Sequence, residues 1–498
     1  SRQILRNQFW RAVPNELSSA PSGIIEALLT MRSSHWHLPL LAVALWFASV
    51  PGISTVAAAD PPAAASVTEA EGNEIIGEFL LLLFGSEQGK REALDYVEQH
   101  WRPAFTPMLI EVLTFNDDPA FGTNLVRVLE EKTGQSNGYD IDRWFRWQWS
   151  QDLDMSPYYA EFKSALYGLV DPAFENYFAA DRAMSIRLDE VIWGGIEQDG
   201  IPPLRDPDMI TVGDADYLAD TDVVFGLSVN GDSRAYPRRI LGWHEMFVDD
   251  VGGVPVVGVY CTLCGTMILY RTELEGVNHE LGTSGFLYRS NKLMYDKGTQ
   301  SLWNTIWGEP VIGPLAEQGL ALERMSVVTT TWGEWRRRHP ETQVLSLGTG
   351  YPRDYSEGAA YRDYYATDDL MFQVPTLDTR LKNKDEVLGL VFPQHPDRPL
   401  AISLSYLIAH PLYLDQVEGL RFVVLTDASG ANRVYEAADV AFTAWDGESA
   451  VQDASGRKWL LREASLLSED GVVLHRLPSQ RAFWFGWFSA YNHTRLVQ

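Results

Sequence analysis

The chain has 498 residues and a formal net charge of −27, an acidity that repels nucleic-acid phosphates and draws cations. A hydrophobic content of 46% with 12% aromatic residues excludes a disordered chain, and the length calls for two or three domains. Nucleic acid is therefore not an expected partner.

In chain order, residues 1–30 read as an upstream segment that does not belong to the native protein. Residues 31–59 read as a signal peptide: Met31-Arg32 is basic, Leu38–Val50 is an apolar run, and Ala57-Ala58-Ala59 offers small residues for cleavage before Asp60. That run falls short of the roughly 20 residues that cross a bilayer. The expected destination is periplasmic or extracellular, with no transmembrane span in the mature chain. Residues 60–75, rich in Pro and Ala, read as a linker.

Residues 76–180 carry helical periodicity in short amphipathic segments, among them REALDYVEQHW, PMLIEVLTF and GTNLVRVLEEKTGQ, broken by Gly, Pro, Asn and Asp. From about Ile186 the text becomes that of β structure. VVFGLSVNGDSRAYP predicts a hairpin turning at Asn230-Gly231, and the stretch around Val251–Val254 predicts a second turning at Gly252-Gly253. The fold class expected is α+β, a small helical N-terminal domain followed by a larger, mainly antiparallel β region. That region divides into residues 181–375 and 376–498. The two halves share a spacing: Leu241, His244, Asp249, Val251 and Gly253 recur as Leu407, His410, Asp415, Val417 and Gly419. Asp427 and Gly430 stand in the second half where Cys261 and Cys264 stand in the first.

Those two cysteines are the only ones in the chain, in Tyr260-Cys261-Thr262-Leu263-Cys264-Gly265. Thiols at this spacing suit one soft metal ion or a small disulfide. A metal site needs further ligands, and His244 is the nearest imidazole in sequence, with Glu245 beside it as a ligand or proton acceptor. Export favours a disulfide instead, structural or redox-active. A redox pair usually sits at a helix N-terminus, whereas the residues after Gly265 read as a strand. Tyr351–Tyr355 and Arg362–Tyr365 read as packed loops with a cleft lining as the alternative. The aromatic cluster at 483–488 reads as a buried strand.

Ile192-Trp193-Gly194-Gly195, Asp199-Gly200-Ile201-Pro202, Arg234-Ala235-Tyr236-Pro237, Trp243-His244-Glu245, the Cys-x-x-Cys turn, Ser284-Gly285-Phe286-Leu287-Tyr288, Met294-Tyr295-Asp296, Ser301-Leu302-Trp303 and Ala482–Trp487 stand in order along the chain. Together these tracts resemble the bacterial family of unknown function DUF3179. The resemblance runs from Ile192 to Trp487 and implies an exported protein with a recurring Cys-x-x-Cys and a nearby His; it implies no reaction. The function expected is binding of one copper or zinc ion through Cys261, Cys264 and His244, with Met294, from a tract shared with that family, as a thioether ligand. The competing expectation is an extracytoplasmic module that binds a small extracellular ligand or serves as a scaffold, with a redox or structural disulfide. Whether the protein is an enzyme is left open.

Overall fold

The computed structural model describes residues 69–153, 157–179 and 181–498. The expected upstream segment and signal peptide lie outside the described residues. Mixed α and mainly antiparallel β structure fills the rest, divided between two compact units. One runs up to Ile141 and takes in Leu153–Val170; the other comprises Asp142–Asp152 and Asp171–Gln498.

The first unit is helical. Its helices are α1 (Glu69–Phe84), α2 (Glu87–Gln99), α3 (Thr106–Phe115), α4 (Pro119–Thr133) and, beyond α5 (Ile141–Trp149), α6 (Pro157–Gly168). Side chains that favour helix ends set the boundaries. Ser86 accepts the Gly89 N–H at the start of α2, and Asp118 with Pro119 opens α4, which Gly134 closes in a left-handed conformation. Phe79, Val97, Leu109, Leu113, Leu125, Leu129 and Phe162 are buried in its core. Among them Lys163 is paired with Glu111, which also accepts the Tyr159 hydroxyl. No helix among the described residues is long and apolar enough to cross a membrane.

The second unit carries the β structure, and it is built twice. A hairpin of β1 (Val223–Val229) and β2 (Asp232–Pro237) leads through α7 (Arg238–His244) into a meander of β3 (Met246–Val251), β4 (Val254–Cys261) and β5 (Thr266–Arg271). Then come β6 (Leu281–Tyr288) and β7 (Asn291–Asp296), and a return through β8 (Val328–Thr331), α8 (Trp332–Arg338) and β9 (Gln343–Leu345). After the short α9 (Arg362–Tyr365) the plan repeats. Hairpin β10 (Glu386–Phe392) and β11 (His395–Ser403) leads to α10 (Leu404–Ala409) and the meander β12 (Leu412–Val417), β13 (Leu420–Thr426) and β14 (Asn432–Glu436). The return is β15 (Gln480–Phe483), α11 (Trp484–Ala490) and β16 (Arg495–Val497).

The pairing repeats with the elements. The sheets share the orders β8-β1-β2-β9 and β15-β10-β11-β16, in which β9 and β16 join in parallel; the first sheet carries Met209–Thr211 as a further, antiparallel strand beside β9. Trp335 and Trp487 lie on Gly226 and Gly389, where a Cβ would meet the indole at 2.3 and 2.1 Å. Each indole N–H donates to a threonine hydroxyl, Thr342 at 2.9 Å and Thr494 at 3.0 Å. Two-residue turns with positive φ close β1–β2 at Asn230-Gly231, β3–β4 at Gly252-Gly253 and β12–β13 at Glu418-Gly419, the geometry that matches strand twist. The sequence spacing shared by the two halves thus marks a duplicated supersecondary unit. Residues 483–488, expected as a strand, turn helical after Phe483. Trp484, Trp487 and Phe488 fall at helical spacing and are buried.

Candidate functional site

Cys261 ends β4 and Thr266, its cross-strand partner, begins β5, so the two thiols sit in a tight turn at the end of a hairpin. Gly265 has φ of 60°, and a Cβ there would meet the Phe483 ring at 2.8 Å. Only glycine suits both demands. The second half of the duplication closes over this turn. Phe483 donates its N–H to the Cys264 carbonyl at 2.7 Å, and Gly486 leaves room for the Cys264 side chain.

The two sulfurs lie 2.8 Å apart. Cys261 is 2% exposed and Cys264 fully buried. Burial alone would raise the pKa of both, because a thiolate loses its hydration. For Cys261 that cost is outweighed by hydrogen bonds from the Cys264 thiol and from the Lys292 and Cys264 backbone N–H groups, and its pKa falls below the ordinary value. Cys264 has no such set of donors; its thiol touches the Cys261 sulfur and donates to the Ser290 carbonyl at 3.4 Å, so burial and the neighbouring sulfur push its pKa well up. The two sulfurs thus hold their protons unequally, Cys261 less tightly than an ordinary thiol and Cys264 more tightly, without the helix N-terminus that such pairs usually use.

Around them the backbone is strained at four non-glycine residues. Glu245, Arg289, Ser290 and Tyr361 have φ of 58°, 50°, 63° and 57°, a left-handed conformation that costs about 1–2 kcal/mol per residue and that clusters at functional sites. The turn Arg289-Ser290 joins β6 to β7 and brings the Ser290 carbonyl to Cys264. Glu245 closes α7: its N–H donates to Leu241 and its carbonyl accepts from Tyr260, both at 2.8 Å. That reversal separates the side chains of consecutive residues. The Glu245 carboxylate accepts Thr262 Oγ1 at 2.7 Å and the Tyr361 hydroxyl at 2.9 Å, and pairs with the Lys292 ammonium.

His244 goes elsewhere. Its ring is fully buried, with Nδ1 2.9 Å from the Pro202 carbonyl and Nε2 2.5 Å from the Tyr355 hydroxyl. A carbonyl only accepts, so Nδ1 carries the proton and Nε2 accepts. Burial lowers the His244 pKa, against the pull of the Pro202 carbonyl, and the Arg353 charge lowers it further. Met294 lies buried in β7 among Met246, Val257, Ile268 and Trp303, in a cluster apart from the one that holds Cys261 and Cys264. Among the described residues no group of three or more His, Cys, Asp and Glu is arranged to hold a metal ion. Of the four residues expected at the site, the structure brings Cys261 and Cys264 together and gathers neither His244 nor Met294 with them.

Tyrosines cap the turn. Tyr364 and Tyr365 donate to the Leu263 and Thr262 carbonyls at 2.8 and 2.9 Å, and burial pushes the pKa of both phenols up, so they remain donors. The loop expected to be packing is therefore part of the site. A cavity of about 80 Å³ is lined by Cys261, Glu245, Lys292 and Tyr361 together with the apolar Phe286, Leu287 and Phe372. A register shift between Thr283 and Leu287 of β6 marks a bulge that turns Phe286 and Leu287 toward it. Lys292 and Tyr361 are site residues that the sequence reading did not single out; a charged residue gives no sign in sequence of which sheet face will bury it. In the second half Asp427 fills the position of Cys261, accepting the Ser429 and Ala431 N–H groups and pairing with Arg433, a structural turn.

No curated protein and no solved structure matches this chain. A family model matches residues 198–494, more than half of the length, from before β1 to the end of the turn that precedes β16, and includes the Cys-x-x-Cys turn. The chain belongs to the family described as Protein of unknown function (DUF3179).

Proposed function

We propose that Cys261 and Cys264 are a redox-active dithiol that cycles with an intramolecular disulfide. The observation that carries this reading is the 2.8 Å separation of two sulfurs with opposite pKa shifts, one lining a cavity and the other behind it. Oxidation forms the Sγ–Sγ bond and passes two electrons, with the remaining thiol proton, to an oxidant; a reducing dithiol reverses the step. A disulfide across so short a loop adds little stability by chain entropy, which argues for chemistry over stapling. Export, expected from residues 31–59, would set the pair in an oxidising compartment.

Copper or zinc held by the two thiolates is the second reading, supported by the same convergence of sulfurs. It lacks the additional ligands of a closed four-coordinate zinc site, since His244 is bonded to Pro202 and Tyr355 and Met294 is packed in the core.

The test is equilibration in buffers of reduced and oxidised dithiothreitol followed by quenching and thiol counting. The expected result is one two-electron transition in which both thiols vanish together, absent from Cys261→Ser and Cys264→Ser. Thiols that persist across the whole range would refute the reading.

A further inference from the structure

Space limits which oxidant can meet the pair. Another protein's disulfide would have to line up its S–S bond with a sulfur that is 2% exposed and capped by Tyr361, Tyr364 and Tyr365. What borders Cys261 instead is the cavity of about 80 Å³. A single water needs ~10–15 Å³, so a molecule of a few heavy atoms fits and a peptide disulfide does not.

The lining of that cavity is uneven. Ile196, Ile201, Phe286, Leu287, Met371 and Phe372 give it apolar walls, and its polar corner holds Cys261, Glu245 and Lys292. Lys292 is 6% exposed, and beyond its ion pair with Glu245 its ammonium has no hydrogen-bond partner. A buried ammonium with unspent N–H groups costs stability, and such groups concentrate where developing negative charge must be met.

Resting on the dithiol reading above, we propose that the cavity takes a small organic hydroperoxide, with Cys261 as the attacking sulfur and Lys292 as proton donor to the departing oxygen. The Cys261 thiolate gives an electron pair to the terminal peroxide oxygen; the S–O bond forms, the O–O bond breaks, and the alkoxide leaves as alcohol with a proton from Lys292. Cys264 then attacks the Cys261 sulfur of the sulfenic acid. The S–S bond forms, and the hydroxyl leaves with the Cys264 proton as water. In sum one hydroperoxide is reduced to alcohol and water, and two thiols become a disulfide. A reducing dithiol restores the pair and returns the proton to Lys292. The apolar walls accept the alkyl group of the substrate.

The experiment mixes the reduced protein with tert-butyl hydroperoxide or oxidised glutathione and follows thiol loss by rapid quench. The expected rate with the hydroperoxide is at least about 10²-fold above that of a free thiol of low molecular weight, with no such gain for oxidised glutathione. Cys264→Ser is expected to stop at a sulfenic acid that dimedone traps. Lys292→Met is expected to lose about 10² of the hydroperoxide rate. Because it strands the Glu245 charge, Glu245→Gln/Lys292→Met is measured beside it, and circular dichroism reports that the fold is kept.

The dithiothreitol titration of the same samples separates two failures. A normal two-electron transition with a hydroperoxide rate no better than a free thiol overturns the hydroperoxide proposal alone. So does a faster reaction with oxidised glutathione than with hydroperoxide. No transition overturns the dithiol reading as well.

Discussion

Cys264 meets Cys261 sulfur to sulfur across 2.8 Å, while only Cys261 borders the cavity. The front sulfur collects hydrogen-bond donors and the rear one supplies a proton. A pair built this way has a fixed order of reaction.

That order is open to direct measurement. Iodoacetamide should modify Cys261 in Cys264→Ser at least about tenfold faster than Cys264 in Cys261→Ser, because the thiolate is the reactive form. In the wild-type protein the pH midpoint of Cys261 alkylation should fall below the ordinary thiol value of about 8.5. Peptide mass spectrometry assigns the modified sulfur; equal rates would contradict the asymmetry.

His244 predicts a pH dependence of stability. Burial depresses its folded pKa below the ordinary value of about 6.5, so below that value the unfolded chain binds a proton that the folded one resists. Its contribution is present in full above about pH 6.5 and is lost as pH falls through the folded pKa. Around it stand Tyr351, Tyr355 and Arg353, and none of them supplies a negative charge to hold an imidazolium. Urea midpoints for the wild type and His244→Gln between pH 5 and 8 test this: the variant should show a shallower loss on the acid side.

The tyrosine cap should tune access to the thiols. Tyr365→Phe removes the hydrogen bond to the Thr262 carbonyl and the contact with the Tyr260 hydroxyl, for about 1 kcal/mol of stability. Alkylation of Cys261 should become faster in that variant while the far-ultraviolet spectrum stays the same. An unchanged alkylation rate would mean that the cap does not gate the site.

The duplication predicts that equivalent glycines carry equivalent burdens. Gly226→Ala and Gly389→Ala each drive a methyl into the indole that lies on the strand, and overpacking of this kind costs about 1–3 kcal/mol. Denaturant unfolding should show losses of similar size in the two halves. A neutral Gly389→Ala would mean that Trp487 is free to move where Trp335 is not.

Much of this fold was legible because its turns have strict requirements. Asn230-Gly231 and Gly252-Gly253 need positive φ in sequence and adopt it in the structure, and the matched spacings around Leu241 and Leu407 become matched helices and strands. The site was legible only in part. Cys261 and Cys264 announce themselves by type and spacing, but His244 was drawn to them by sequence proximity alone. The left-handed turn at Glu245 reverses that proximity, taking Glu245 to Lys292 and Thr262 and leaving His244 with Pro202 and Tyr355. Lys292 and Tyr361 arrive from distant strands and loops, and no local pattern encodes such a meeting. The Trp484–Phe488 cluster misled for a related reason: a short, wholly apolar run has no wet face to reveal its period.

The most direct measurement of the central claim combines intact mass, thiol count and metal content on protein purified without chelator. Treatment with one equivalent of oxidant should remove both thiols, lower the mass by two hydrogen atoms and leave a single cross-link between Cys261 and Cys264. Copper or zinc near one ion per chain, lost in Cys261→Ser/Cys264→Ser and protecting the thiols from oxidation, would contradict it.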